Sequence, residues 1–467
     1  MNSTQNRYIC RKHLSMKRPY VLISLMVTLV ITGGTAAAAL TGAWSGKLTY
    51  GQFKIPLVFN FSENADGNTA CTLDSPSQGA KGIPTTVSLC TADSIALECP
   101  MIGARFNAAV TTDSISGTFT QRGMSFPLTL TPEASAEESR PQTPKPPYPY
   151  TTIDTTFCST DGTLLSGTLT LPANNRKGKF PAVVMVTGSG PQNRDEELFD
   201  HKPFAVIADY LARNGVASLR YDDRGTGASK GDFVNSTTYT FKDDAKSAID
   251  FLRTIPQIGK VGILGHSEGG TIALLLGADK VPDFIVSLAG MAVSGKETIL
   301  KQNSRHLDSA GLPDDAKANS IAIIGKVLDL CAQQARDGVS TPIDIDSLIA
   351  TSEAEIPAPI IASLKSTQKV RTPWFDTFLT IDPRPILPSI TCPVLALNGD
   401  KDTQVDASTN IQAIRAALPQ AQTHILPTLN HLLQHATTGE VTEYSEIRET
   451  ISPQVLHLIL TFITQQS

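Results

Sequence analysis

Residues 261–270 read Val-Gly-Ile-Leu-Gly-His-Ser-Glu-Gly-Gly: apolar strand residues, a Gly-x-Ser-x-Gly turn, and the start of a helix at Thr271. A turn of this kind holds its serine on strained backbone at the C-terminal edge of a sheet, with the hydroxyl exposed. The N–H groups of the following helix point at the reacting carbonyl. Gly265 and Gly269 are required because side chains there would collide with the neighbouring strand and helix. Ser267 is the candidate nucleophile. A serine hydroxyl needs a base to take its proton and an acid to orient that base. With this turn, the acid and then the histidine follow downstream.

The acid lies in Asn398-Gly399-Asp400-Lys401-Asp402-Thr403-Gln404-Val405, after the apolar strand Val394–Leu397. Asp402 follows the strand-end glycine by three and precedes x-x-Val, which selects it over Asp400, a turn residue. The chain has eight histidines. His13 lies near the N-terminus, His266 is inside the turn, His424 is in a strand and His457 in a helix. His431 follows the last strand in Pro427-Thr428-Leu429-Asn430-His431-Leu432 and is the candidate base, with His435 the second choice. A His431/His435 metal pair lacks the glutamate of H-E-x-x-H. The oxyanion donors are the backbone N–H of Glu268, directly after the nucleophile, and that of Ser189 in Gly188-Ser189-Gly190-Pro191. This chemistry requires no metal or organic cofactor. Tyr221–Ser229 carries glycines, but Lys230 breaks G-x-G-x-x-G and no helix opens there. The segment reads as a structural Asp–Arg turn rather than a dinucleotide loop.

The elements that position these residues fit an α/β class. From Thr151 short apolar strands alternate with helical stretches: Ala182–Thr187, Val216–Arg220, Val261–Gly265, Phe284–Ala289, Val394–Leu397 and Thr423–Leu426. Helices are expected near Pro203–Arg213 and Phe241–Leu252. The last helix begins at Ser452 as N-cap with Pro453 in its first turn, and buries Val455, Leu456, Ile459 and Ile463. Such alternation means a mostly parallel sheet covered on both faces. Residues 292–385 break it with helical patterns alone and read as a cap inserted in domain 151–467. Residues 40–131 read as a small β-domain, a sheet or barrel. Ile55, Leu57, Phe59 and Phe61 alternate with period two, and turns fall at Asp66-Gly67 and Arg122-Gly123. Prolines crowd 132–150, an extended, semi-rigid linker.

Residues 1–39 read as a signal peptide: a basic start, an apolar run Tyr20–Ile31, and small residues through Ala39. Met16-Lys17-Arg18-Pro19 begins a compact signal of its own. The apolar run is shorter than the ~20 residues of a membrane span. Export to the periplasm or medium follows, with no stable membrane span after cleavage. Of the 39 basic residues five lie in 1–39 and no acidic one does, so 34 basic face 44 acidic, a formal −10. No basic stripe remains for nucleic acid. Six cysteines remain beyond Cys10: Cys71, Cys90, Cys99, Cys158, Cys331 and Cys392. The closeness of the first three in sequence points to one bridge among them.

Five motifs are similar to a known family: G-S-G-P-Q-N-R-D-E (188–196), R-Y-D-D-R-G-T-G-A-S (220–229), G-H-S-E-G-G (265–270), L-N-G-D-K-D-T-Q-V (397–405) and L-N-H-L (429–432). They resemble the bacterial α/β-hydrolase carboxylesterases typified by EstD, through most of 151–467. That family often carries an N-terminal β-domain, and Trp44, Gly46 and D-S-P-S-Q-G (74–79) fit it. The resemblance implies Ser267, Asp402 and His431 as the triad. Gly188 begins the oxyanion loop where many lipases carry a histidine followed by glycines. The expected activity is hydrolysis of small-molecule carboxylic esters of short to medium acyl chain, through an acyl-enzyme. A peptidase or acyltransferase would use the same triad. A non-catalytic reading would have the β-domain hold envelope polymer.

Overall fold

The computed structural model describes residues 40–50, 53–64, 66–75, 80–121, 123–132, 140–173, 178–339, 341–350, 356–369 and 371–466. The expected signal segment, residues 76–79 of D-S-P-S-Q-G, Arg122 and residues 133–139 of the proline-rich stretch lie outside them.

The first unit is a closed barrel of eight antiparallel strands: β1(Gly42–Tyr50), β2(Phe53–Glu63), β3(Thr69–Ser75), β4(Ala80–Cys90), β5(Ser94–Cys99), β6(Ala104–Val110), β7(Ile115–Gln121) and β8(Met124–Pro132). β8 returns to pair with β1 through Trp44↔Pro132 and Ser45↔Thr131, which leaves no open edge. Leu57, Phe59 and Phe61 alternate inward and meet Leu73, Leu97, Phe106, Ile115 and Leu130. Phe59 and Phe106 pack with ring centroids 5.4 Å apart. Gly117 sits where β6 and β7 approach so closely that a Cβ would run into the Asn107 carbonyl oxygen.

The expected cysteine bridge does not form, and all six described cysteines are free. Cys71 on β3 stands opposite Thr85 on β4, and the Cys99 sulfur on β5 lies 3.3 Å from the Thr85 hydroxyl. A whole strand therefore separates the two cysteines, about 9–10 Å of sheet, beyond the Cα separation a disulfide spans. The Cys90 thiol instead meets the Thr69 hydroxyl at the barrel surface.

The second unit has an eight-stranded sheet, ordered β16-β15-β14-β13-β11-β12-β10-β9. Its strands are β9(Thr151–Cys158), β10(Leu164–Leu171), β11(Phe180–Val186), β12(Ala217–Tyr221), β13(Ile258–His266), β14(Ile285–Leu288), β15(Val394–Gly399) and β16(Gln422–Leu426). Six run parallel, while β10 pairs antiparallel with both β9 and β12. The helices Thr238–Arg253, Glu268–Ala278 and Ala407–Ala417 cover one face. Pro203–Arg213 and Pro453–Gln465 cover the other. This is an α/β-hydrolase fold preceded by a small all-β domain. β9, an edge strand exposed at most positions and without apolar alternation, escaped the sequence reading, as did β10.

Among the described residues, five α-helices occupy the insertion between β14 and β15: Gly295–Ser309, Asp314–Arg336, Ile345–Ala350, Ala358–Lys369 and Pro373–Thr380. They pack a core of their own from Ile323, Ile324, Val327, Leu328, Ile345 and Leu364. The end of the proline-rich stretch is docked on the sheet domain rather than held free of it. The Arg140 guanidinium is buried and donates to the Phe199 and Ser445 carbonyl oxygens. Gln142 bonds both ways with the Thr450–Ile451 backbone. Among the described residues, no helix is long and apolar enough to cross a membrane.

Candidate active site

Ligands of open α/β sheets bind outside the carboxyl ends of the strands, where the strand order reverses. Here the chain leaves β11 toward β12 and returns to β13 on the other side of β11, so the crevice lies beyond Val186 and His266. Ser267 occupies the turn between β13 and the helix Glu268–Ala278, with φ 54° and ψ −118°. That backbone disfavours any side chain by about 1–3 kcal/mol. Two close approaches impose it. A Cβ on Gly265 would strike the Gly269 carbonyl oxygen, and one on Gly269 would strike that of Val186 on β11. The Ser267 N–H is tied to the Leu288 carbonyl oxygen (2.9 Å).

His431 lies in the loop after β16, 4% exposed. Its Nδ1 is 2.8 Å from Asp402 Oδ2. Asp402, fully buried, accepts through Oδ1 from the N–H groups of Gln404 and Val405 (2.8 Å each). Those bonds fix the carboxylate that faces the imidazole. Gly399 allows the acid loop to meet the histidine loop, since a Cβ there would run into the Leu429 carbonyl oxygen. Asp400 is exposed and accepts from the Thr428 N–H (2.7 Å), a turn contact. His435 is exposed and faces Glu449 (2.8 Å) rather than the crevice. The two histidines therefore turn toward different carboxylates.

Glu268 begins its helix, so its N–H has no partner within it. Its buried carboxylate accepts from the Thr238 hydroxyl (2.7 Å) and from the Trp374 indole of the cap (2.8 Å). Burial raises its pKa, against the bonds from Thr238, Trp374 and the Ser189 side chain. A Cβ on Gly188 would come within 3.1 Å of the Ser267 Cβ, so the loop after β11 passes directly beside Ser267. The Gly188 N–H is occupied by Glu196 Oε1 (2.8 Å). The following N–H, that of Ser189, is the loop's candidate donor.

Sequence reasoning missed a second buried pair. His266 Nδ1 lies 2.8 Å from Glu196 Oε1, and its Nε2 lies 2.9 Å from the His431 carbonyl oxygen. Burial pulls the His266 pKa down, but the charge and hydrogen bond of Glu196, with the His431 carbonyl and Asp402, move the net value up. The 221–229 loop is structural. Asp222 accepts from Arg194 and from the Ala228 N–H. Arg224 is bound to Asp244 and Asp161, and buried Asp223 takes the Thr187 hydroxyl and the Gln192 N–H.

A cavity of about 730 Å³ opens from Ser267 and His431 into the cap. Leu307, Val327, Leu328, Leu364, Phe375 and Phe378 form much of its wall. The charged side chains in that wall are already engaged. Arg371 is bonded to Asp376, Gln334 and the Cys331 carbonyl oxygen. Glu196 holds His266 and Gly188. Cap and sheet are joined near the acid as well: Arg305 donates to the Asp402 carbonyl oxygen and to Asp406, and Gln302 to the Gln404 carbonyl oxygen.

Residues 161–435, more than half of the chain, match the family model described as X-Pro dipeptidyl-peptidase (S15 family). The chain belongs to this α/β-hydrolase family. It is 33% identical over 157 residues to the esterase EstD of Thermotoga maritima, covering 33% of this chain and 36% of that one. It is 30% identical over 128 residues to the human mitochondrial palmitoyl-protein thioesterase ABHD10, covering 27% and 38%. The matched segments thus span little more than a third of either relative. The Pyrococcus furiosus esterase Pf2001 superposes with a TM-score of 0.41 at 15% identity, over 68% of this chain and 91% of that one. The strand order defines the fold.

Proposed function

We propose that this protein is an exported serine carboxylesterase that cleaves small carboxylic esters of short to medium acyl chain. The observation that carries the reading is the buried Asp402–His431 bond at 2.8 Å beside Ser267 on its strained turn, at the mouth of one apolar cavity. His431 takes the Ser267 proton as the oxygen attacks the ester carbonyl. Asp402 holds the imidazole tautomer and stabilises the imidazolium. The N–H groups of Glu268 and Ser189 receive the oxyanion. The alcohol leaves with the proton from His431, and water, activated by the same base, releases the acid from the acyl-enzyme.

Ester is favoured over amide because an alcohol needs less help from protonation as it leaves. A peptide terminus would bring a charge into the cavity, and the charged groups there are already paired. The test is initial rates of residues 40–467 on p-nitrophenyl esters of rising acyl length, beside Ser267→Ala. Turnover lost in the variant is the expected result, and the length optimum measures the cavity. Folded wild type with no ester turnover would overturn the esterase reading; amide cleavage, or acyl transfer to an added alcohol, would then identify the peptidase or acyltransferase.

A further inference from the structure

Three loops converge on Ser267: the oxyanion loop after β11, the turn after β13 and the histidine loop after β16. One buried pair outside the triad touches all three. Glu196, 3% exposed, lies between β11 and the helix Pro203–Arg213 and takes the Gly188 N–H and His266 Nδ1 on the same oxygen. His266, the last residue of β13, reaches the His431 carbonyl oxygen with its other nitrogen. A carbonyl oxygen only accepts, so Nε2 carries a proton. The pair is a buried carboxylate–imidazole bridge with both ring nitrogens in short contact. The His266 ring centroid lies 4.8 Å from that of His431.

We infer that Glu196 and His266 are positioning residues for the reaction, a bridge that holds the oxyanion loop and the histidine loop in register with the nucleophile. This rests on the Ser267–His431–Asp402 reading. Glu196 fixes the peptide unit beside the one carrying the Ser189 N–H, and leaves that N–H as the loop's oxyanion donor. His266 fixes the carbonyl of the base itself, hence the height of the imidazole above Ser267. Neither side chain makes or breaks a bond. A buried ion pair is weak ground for a stability role, since apolar replacements of such pairs are often neutral or stabilising. Misplacement of reacting groups by about 1 Å, by contrast, costs on the order of 10²-fold in rate.

Three substitutions in the full chain separate the two arms. In His266→Gln the amide nitrogen reaches about as far as Nε2 and keeps the His431 arm. In His266→Asn it reaches about as far as Nδ1 and keeps the Glu196 arm. Glu196→Gln preserves shape and removes the charge. For each, kcat and KM are measured on the p-nitrophenyl ester preferred by wild type, with the rate of Ser267 phosphonylation by a fluorophosphonate probe and the melting temperature. The expected result is a kcat roughly 10- to 100-fold lower, KM within about threefold of wild type, and phosphonylation slowed by the same factor as kcat. The Glu196→Gln/His266→Asn double variant falls no further than the worse single, because the two act as a unit. Unchanged kcat, a change confined to KM, or a loss accounted for by the unfolded fraction would overturn the inference. Should a histidine variant fail to fold, isosteric Glu196→Gln decides alone. Should wild type turn over no ester, the esterase reading fails by itself, and the phosphonylation rates still judge the bridge.

Discussion

The barrel and the carboxyl edge of the sheet bury their residues to opposite ends. Among the described residues, the barrel's buried side chains are apolar except Ser75, and none is charged. The sheet edge buries Glu196, Asp223, His266, Glu268, Asp402 and His431 within a few loops. Burying unpaired charge is strongly unfavourable, so each of these must find partners. In the barrel, burial stabilises directly through apolar area removed from water. At the edge, burial makes electrostatic contacts strong and positions them, which serves chemistry at some expense of stability. The two regions should therefore fail differently when a side chain is removed.

The sharpest contrast is expected at Ser267. Ser267→Ala should lower kcat/KM by on the order of 10⁴ or more with an unchanged or slightly raised melting temperature, since it relieves little packing. Asp402→Asn should lower kcat by about 10²- to 10⁴-fold, because the imidazole loses its oriented tautomer. Asp400→Asn, two residues away, should change kcat less than about threefold. Equal losses at both positions would break the assignment of the acid.

In the barrel the readout reverses. Phe106→Ala should destabilise by about 3–5 kcal/mol in a denaturant titration and leave kcat of the folded fraction alone. A large fall in kcat there would mean that the barrel takes part in the site. A pH measurement probes the edge. His201, fully buried, bonds the Thr450 hydroxyl and the Tyr444 carbonyl oxygen. Burial, then Arg140, brings its pKa down to about 4 from an unfolded value near 6.5. Between those values the unfolded chain binds a proton that the folded chain refuses. Stability should therefore fall by about 3 kcal/mol as pH drops through that window, and His201→Asn should remove this slope. A milder effect is expected in the cap. Leu328→Trp should narrow the cavity and shift the acyl-length optimum shorter, by about tenfold in relative kcat/KM.

How much the sequence disclosed follows from where steric demand is local. The turn around Ser267 is readable because the Gly265 contact is with Gly269, four residues on, although Gly269 itself is forced by Val186 on β11. Asp402 is readable because it follows by three the glycine at which the acid loop meets the histidine loop. Glu196 ends the 188–196 motif, yet Asp195-Glu196-Glu197 presents three acids in a row, and only folding decides which one turns inward. His266 stands inside the turn with no sequence sign of its role, and its partners lie 70 and 165 residues away. The cysteine bridge was misjudged for a related reason: closeness in sequence says nothing of the strand that comes between.

The bond from the Trp374 indole to the Glu268 carboxylate has a consequence for engineering. Caps of this kind invite exchange between relatives as a way to alter substrate range. Here the roof supplies a donor to the residue whose own backbone would receive the oxyanion. A transplanted cap without an equivalent donor would leave that buried carboxylate short of a partner, so a swap intended to change selectivity would also alter the machinery beneath. The cap and the turn make one exchangeable part, and chimeras should move the two together.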